Sequence, residues 1–270
     1  MPRLYRSIGL GGGGTRGGLH IGAIKAIQEF QGDLEFPDGI YGASVGAIIG
    51  TAVAFRMDLG LLKKAYDKYF TISSIIPKPT LSHATGVFEN RGLFSMDTVG
   101  TLVLKVFDEC GIDLRGKRIC DAHQKLFIIA SNMTTGRPTL LTGQVPILDA
   151  LMCSSAIPLL YQPQVLYGHV YLDAGVHLRC IRSVVPVESL VIHISGRCDS
   201  ITPESSFADI LVACYSGKVS QYIGENMVRI RGVKHALLGE LSQTDRDYLV
   251  KEGYRQTLVF LTKRLAEEGR

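Results

Sequence analysis

Tryptophan is absent from the 270 residues, and no low-complexity run interrupts them. Without an indole, and with no aromatic residues interleaved among basic ones, the chain lacks the stacking signature of a nucleic-acid binder. No stretch approaches the roughly 18 consecutive apolar residues that a bilayer-spanning helix needs. The first residues reach only a short apolar stretch before a glycine run, so no signal-peptide core is expected. The six cysteines, Cys110, Cys120, Cys153, Cys180, Cys198 and Cys214, contain no C-x-x-C pair. That argues against a zinc site and a small disulfide scaffold, and favours a reducing compartment. Charge is also sparse: 20% of residues, for a net +4. The basic clusters Lys63-Lys64, Lys117-Arg118, Arg229/Arg231/Lys234 and Lys263-Arg264 are scattered and read as solvated faces, not a binding stripe. The expectation is a soluble cytoplasmic protein with peripheral membrane contact and no nucleic-acid partner, metal or cofactor.

What the chain does hold is apolar residues, 46%, and thirty glycines. That much apolar surface over this length can build one large core, so residues 1–270 are expected to form one domain. The glycines cluster where backbone must turn sharply or approach a ligand closely. Leu4 to Leu10 reads as a buried strand running into Gly11-Gly12-Gly13-Gly14-Thr15-Arg16-Gly17-Gly18, after which Leu19, Ala23, Ala26, Ile27 and Phe30 recur at helical spacing up to Gly32. The same grammar repeats at Gly39-Ile40-Tyr41, Gly42-Ala43-Ser44-Val45-Gly46 and the helical run Ala47 to Phe55. Further helices are expected at Leu59 to Phe70, from Ser95 to Cys110 with Gly111 as the stop, at Ile147 to Ser154, from Thr202 toward Tyr222, and at Ser242 to Ala266 with an interruption near Gly253. Further strands are expected at Lys125 to Ser131, Pro138 to Leu141, Ser189 to Ser195 and Asn226 to Arg231, with a hairpin over Gln164 to Leu172 turning around Gly168-His169. Strands alternating with helices imply an α/β fold of three layers, α/β/α, around a mainly parallel sheet. Residues 71–94 break the pattern and read as an excursion or lid. Within it, Ile72 to Pro79 and the Phe88/Leu93/Phe94 region could form a lid or channel or meet an apolar surface, or simply pack.

G-x-S-x-G arises by chance in about one chain in five of this serine and glycine content, so context must carry the argument. Ser44 follows a strand and precedes a helix, where a tight turn would expose its Oγ and only glycine fits at Gly42 and Gly46. The helix N-terminus behind it offers partial positive charge and free N–H groups. The Gly12-to-Gly17 loop also fits the dinucleotide pattern G-x-G-x-x-G. The acid expected at the end of the second strand is missing, however, which weakens a nucleotide-binding reading. As an oxyanion hole, Gly13 and Gly14 N–H groups would face developing negative charge, and Arg16 would anchor the loop or reinforce its field. Serine needs an activating base. A triad would run Ser44, Asp173, then His177, His193 or His235, none of them in a distinctive loop, and His193 sits in an apolar run typical of a core histidine.

Taken together, Gly-Gly-Gly-Thr-Arg-Gly, Gly-Ala-Ser-Val-Gly about 30 residues later, Asp173-Ala174-Gly175 after a hairpin, Asn132 to Pro138, Ser155-Ala156-Ile157-Pro158 before Gln162-Pro163, and Glu252-Gly253-Tyr254 resemble the patatin-like phospholipases over nearly the whole chain. The resemblance implies a Ser-Asp dyad without histidine: Ser44 as nucleophile, Asp173 as base, Gly12, Gly13, Gly14 and Arg16 in the oxyanion segment, and phospholipids or other fatty-acyl esters as substrates. The chain departs from the family at Ala174, where glycine is usual. If that turn needs positive φ, alanine costs about 1 kcal/mol and displaces Asp173, which would favour a catalytically silent lipid-binding relative.

Overall fold

The computed structural model describes residues 5–78, 80, 87–195, 210, 224–231 and 238–268. Its centre is a mixed sheet in the order β10-β9-β1-β2-β4-β8-β7, formed by β1 (Ser7–Leu10), β2 (Gly39–Ala43), β4 (Leu126–Asn132), β7 (Gln164–Leu166), β8 (His169–Leu172), β9 (Leu190–Ile194) and β10 (Met227–Ile230). The run from β10 to β4 is parallel, while β8, β7 and β5 (Arg137–Leu141) are antiparallel additions. β1, β2 and β9 are buried along their whole length. That is why they read as runs of apolar or small residues, broken only by His193, instead of alternating ones.

The two faces of the sheet bury different clusters. Ile8, Leu10, Ile40, Ile128, Ile192 and Val228 point into the larger core, whereas Tyr41, Ala43, Ile129, Val191 and Met227 point into the smaller one. Buried side chains of α1 (Gly18–Gln31), α2 (Val45–Ala54), α3 (Leu59–Tyr69), α5 (Asp97–Glu109), α6 (Ile147–Ser155) and α7 (Gln243–Glu268) all join the larger cluster. Among the described residues the other face is covered by the segment after β8, through Ala174, Cys180, Ile181 and Val185. The short α4 (Ile72–Ile75) lies in the expected excursion, and β3 (Gly92–Phe94) closes that excursion by pairing with β6 (Leu159–Tyr161).

Local signals explain most boundaries. Gly32 (φ 83°) and Gly111 (φ 76°) take the left-handed conformation that ends α1 and α5. Ser242 and Asp245 exchange side-chain and backbone hydrogen bonds at the start of α7. Two boundaries differ from expectation. The hairpin turns on Tyr167 (φ 51°) and Gly168 (φ 77°), one residue earlier than Gly168-His169, because a two-residue turn matching strand twist needs positive φ at both positions. α7 runs through Gly253 without a break. A Cβ there would lie 2.1 Å from Leu19 O, and one on Gly22 would lie 2.0 Å from Val250 O. The glycine is a contact point between α1 and α7, not a stop. The expected helix from Thr202 toward Tyr222 lies outside the described residues.

Candidate active site

Ser44 stands at the C-terminal end of β2 with φ 54° and ψ −129°, a conformation that costs a side-chain-bearing residue about 1–3 kcal/mol. The turn can be this tight only with glycine on both sides. A Cβ on Gly42 would lie 2.4 Å from Ala47 Cα, and one on Gly46 would lie 2.2 Å from Leu10 O. The Ser44 N–H donates to Ser154 Oγ at 2.8 Å, and Ser154 Oγ donates to Ile129 O at 2.6 Å. Fully buried Ser154 therefore ties the elbow to β4.

The glycine loop leaves β1 beside this turn. Gly12 is the residue that meets Ser44, its Cβ position lying 3.5 Å from Ser44 Cβ. A Cβ on Gly13 would collide with Ile194 Cδ1 at 2.6 Å, and Gly14 takes φ 55° to enter the 3-10 turn Gly14–Gly17. Arg16 is buried and its Nε donates to Gly13 O at 3.3 Å, as does its backbone N–H at 3.1 Å. Tyr66 donates its hydroxyl to Thr15 O at 2.8 Å.

Asp173 reaches the same point from the opposite direction. β5 occupies one edge of β4 from Ile128 to Asn132, so β2 and β8 must share the other edge. β2 runs parallel to β4 and ends opposite Ile129; β8 runs antiparallel and ends opposite Ser131. Their ends, Ser44 and Asp173, converge beside Ala130. The Asp173 N–H donates to Ala156 O at 2.8 Å, and Ser131 Oγ binds both Ala174 O (3.3 Å) and the His177 N–H (3.2 Å), fixing the turn that follows.

Burial pushes the Asp173 carboxyl up to about 6, opposed by the Gly175 N–H, which donates to Oδ1 at 2.7 Å, and by hydrogen bonding to the Ser44 side chain. A carboxylate in this state is basic enough to share a serine proton yet mostly ionised at neutral pH. Ala174 is absent from the residues with positive φ; it starts a 3-10 turn, and its methyl is buried in the smaller core cluster. The alanine therefore carries no left-handed strain.

No described histidine is hydrogen-bonded to Ser44 or Asp173. His177 uses its backbone N–H on Ser131, His193 is buried on β9, and His235 lies outside the described residues. Among the described residues no three His, Cys, Asp or Glu side chains cluster as metal ligands, and no helix is long and apolar enough to cross a membrane. Cys110, Cys120, Cys153 and Cys180 are free thiols.

The sequence model described as "Patatin-like phospholipase" matches residues 9–191, from the glycine loop through Ser44 and Asp173. The chain belongs to the patatin-like phospholipase family. Among curated relatives it is 37% identical over 93 residues to Lysophospholipase NTE1 of Cryptococcus neoformans var. neoformans, and 36% identical over 98 residues to Lysophospholipase nte1 of Aspergillus fumigatus. These matches cover 32% and 33% of this chain, and only 6% of either relative's length. The fold is similar to VipD from Legionella pneumophila, with TM-score 0.56 and 15% identity over 96% of this chain and 67% of VipD. It is also similar to a solved chain of the ExoU-SpcU complex from Pseudomonas aeruginosa, with TM-score 0.52 and 16% identity over 98% of this chain and 52% of that one.

Within this patatin-like chain, the structure brings Gly12, Gly42, Gly46, Ser44 and Asp173 to one point, with Gly13, Gly14 and Arg16 in the adjoining loop. Sequence reasoning missed three supports, Ser154, Ser131 and His20. Ser131 and Ser154 each stand just before a stretch that carries the resemblance, Asn132 to Pro138 and Ser155 to Pro158, but no glycine elbow surrounds either, and Ser154 reads from sequence as a helix-terminal or packing residue. His20 had a signal, an imidazole between Leu19 and Ile21 in a helix whose neighbouring positions are all buried.

Proposed function

We propose that this patatin-like phospholipase family member hydrolyses fatty-acyl esters of lipids by two-step acyl transfer. Ser44 Oγ attacks the ester carbonyl while its proton passes to Asp173. Glycine-loop N–H groups face the oxyanion that forms. When the tetrahedral adduct collapses, the alcohol leaves with the proton from Asp173, and Ser44 keeps the acyl group. Water then attacks the acyl-serine, gives a proton to Asp173, and the fatty acid leaves as that proton returns to Ser44. The observation that carries the proposal is the buried carboxyl of raised basicity beside a serine held at positive φ. Residues 1–270 form one acyl hydrolase domain in this proposal, and 71–94 cover the acyl side of the site. Anchorage of the excursion supports that role: Ile72, Ile75 and Ile76 pack on the core, and the Tyr161 hydroxyl donates to Ile75 O at 2.5 Å.

The relatives named as lysophospholipases make single-chain phospholipids the first lipids to assay, beside p-nitrophenyl butyrate. Ser44→Ala and Asp173→Asn should each lower ester hydrolysis by about 1,000-fold or more. Equal hydrolysis by wild type and both variants would overturn the mechanism.

A further inference from the structure

The glycine loop is gripped by its carbonyl groups at alternate residues, Gly11, Gly13 and Thr15. The first grip is the strongest placed. His20 lies in α1, fully buried, with Nε2 2.7 Å from Gly11 O. A carbonyl oxygen only accepts, so Nε2 carries the proton and the tautomer is fixed. Nδ1 is buried without a partner. A second proton there would place an unpaired charge in the core, and burial, with His193 and Arg16 nearby, holds the ring's pKa down to about 4. His20 is therefore a neutral donor throughout the range in which Asp173 ionises.

A trans peptide is planar, with its C=O and N–H pointing in opposite directions. Fixing the Gly11 carbonyl on His20 thus fixes the next N–H, that of Gly12, facing away from α1. Gly12 is also the loop residue packed against Ser44. The Gly11 N–H donates to Ile192 O at 3.1 Å, so both sides of Gly11 are committed and its carbonyl has little freedom to rotate. An apolar side chain between Leu19 and Ile21 would leave no imidazole nitrogen orphaned but would take the donor from the buried Gly11 carbonyl, so the histidine holds the loop and sets its aim through one bond, and the variants must be read beside their melting temperatures.

We propose that His20 is a positioning residue of the oxyanion hole: its Nε2–H bond to the Gly11 carbonyl aims the Gly12 N–H at the oxygen that becomes negative when Ser44 attacks. The proposal rests on the acyl-transfer reading above. His20 touches neither Ser44 nor substrate in this role, and it transfers no proton.

The test compares wild type with His20→Gln, His20→Asn and His20→Leu on p-nitrophenyl butyrate. The Gln amide can reach Gly11 O as Nε2 does, whereas the Asn amide is too short and Leu has no donor. Asn and Leu should lower kcat by about 10- to 100-fold, less than deletion of an oxyanion donor, with KM within about twofold of wild type. Gln should recover kcat to within about fivefold. The pH midpoint of kcat should stay where wild type has it, since His20 does not titrate in the reaction. Wild-type kcat in both Asn and Leu would overturn the proposal, as would equal losses in Gln, Asn and Leu that follow their melting temperatures, or a displaced pH midpoint. If Leu fails to fold, the Gln/Asn pair decides. A wild type that hydrolyses no ester and takes no fluorophosphonate would overturn the acyl-transfer reading, and this assignment with it.

Discussion

Asp173 holds two opposed demands. Its folded pKa, about 6, lies above the ordinary 3.8, so the folded state binds the proton more tightly than the unfolded chain does. The stability contributed by the protonated carboxyl is fully present below about pH 3.8 and is lost as pH rises through about 6. Above pH 7 the buried charge costs on the order of 2–3 kcal/mol. Asp173→Asn keeps an oxygen for the Gly175 N–H and removes that charge. It should raise the melting temperature at pH 8 while abolishing hydrolysis, and the gain should vanish near pH 4, as thermal denaturation at the two pH values would read. Because the base must be ionised, wild-type kcat should climb with pH to half its plateau near 6. A second residue-scale outcome concerns Ser154. Ser154→Ala leaves both the Ser44 N–H and Ile129 O without their partner, which should cost about 1–3 kcal/mol in urea denaturation and lower kcat beyond the loss of folded protein. Neither serine nor carboxyl could be assigned these energies from sequence. The residue types and the glycines around Ser44 were legible, but the raised basicity of Asp173 comes from burial that only the folded chain creates.

At the scale of elements, the parallel strands were readable because burial on both faces leaves mostly apolar runs, as in Leu190–Ile194, where only His193 intervenes. The repeated strand-glycine-helix pattern was readable because tight turns force glycine. What local grammar could not carry was contact between distant segments. Gly253 looks like a helix breaker to propensity, yet its missing side chain serves Leu19, more than two hundred residues away in sequence. Gly253→Ala should destabilise the protein by about 3 kcal/mol or more, since backbone atoms must move apart. Gly116→Ala makes the control: φ is 72° but nothing lies within 4 Å, so only the left-handed strain of about 1 kcal/mol applies. Equal melting temperatures for the two variants would refute the close packing of α1 on α7. The convergence of β2 and β8 on one edge of β4 was equally hidden. It depends on β5 claiming the other edge, a pairing that leaves no mark at Ser44 or Asp173.

The whole molecule places its candidate site at the C-terminal ends of its parallel strands, with the glycine loop after β1 and the elbow after β2. That is the usual ligand crevice of an open α/β sheet. In the excursion, Gly92 pairs with Leu159, which is held at φ 63° with half its surface exposed, and Phe88 four residues upstream of Gly92 is 91% exposed. Under the proposed function, exposed apolar side chains of this kind suit contact with aggregated lipid. Phe88→Ser should leave hydrolysis of a soluble short-chain ester unchanged and reduce hydrolysis of phospholipid vesicles several-fold. Parallel losses on both substrates would instead mean that Phe88 supports the fold.

The most direct measurement is intact-protein mass spectrometry of fluorophosphonate labelling between pH 5 and 8, with peptide mapping of the adduct. One label should appear on Ser44, at a rate rising through about pH 6 in wild type, absent in Ser44→Ala and slow at every pH in Asp173→Asn. A label on another residue, or labelling of Asp173→Asn at the wild-type rate, would contradict the pairing of Ser44 with Asp173.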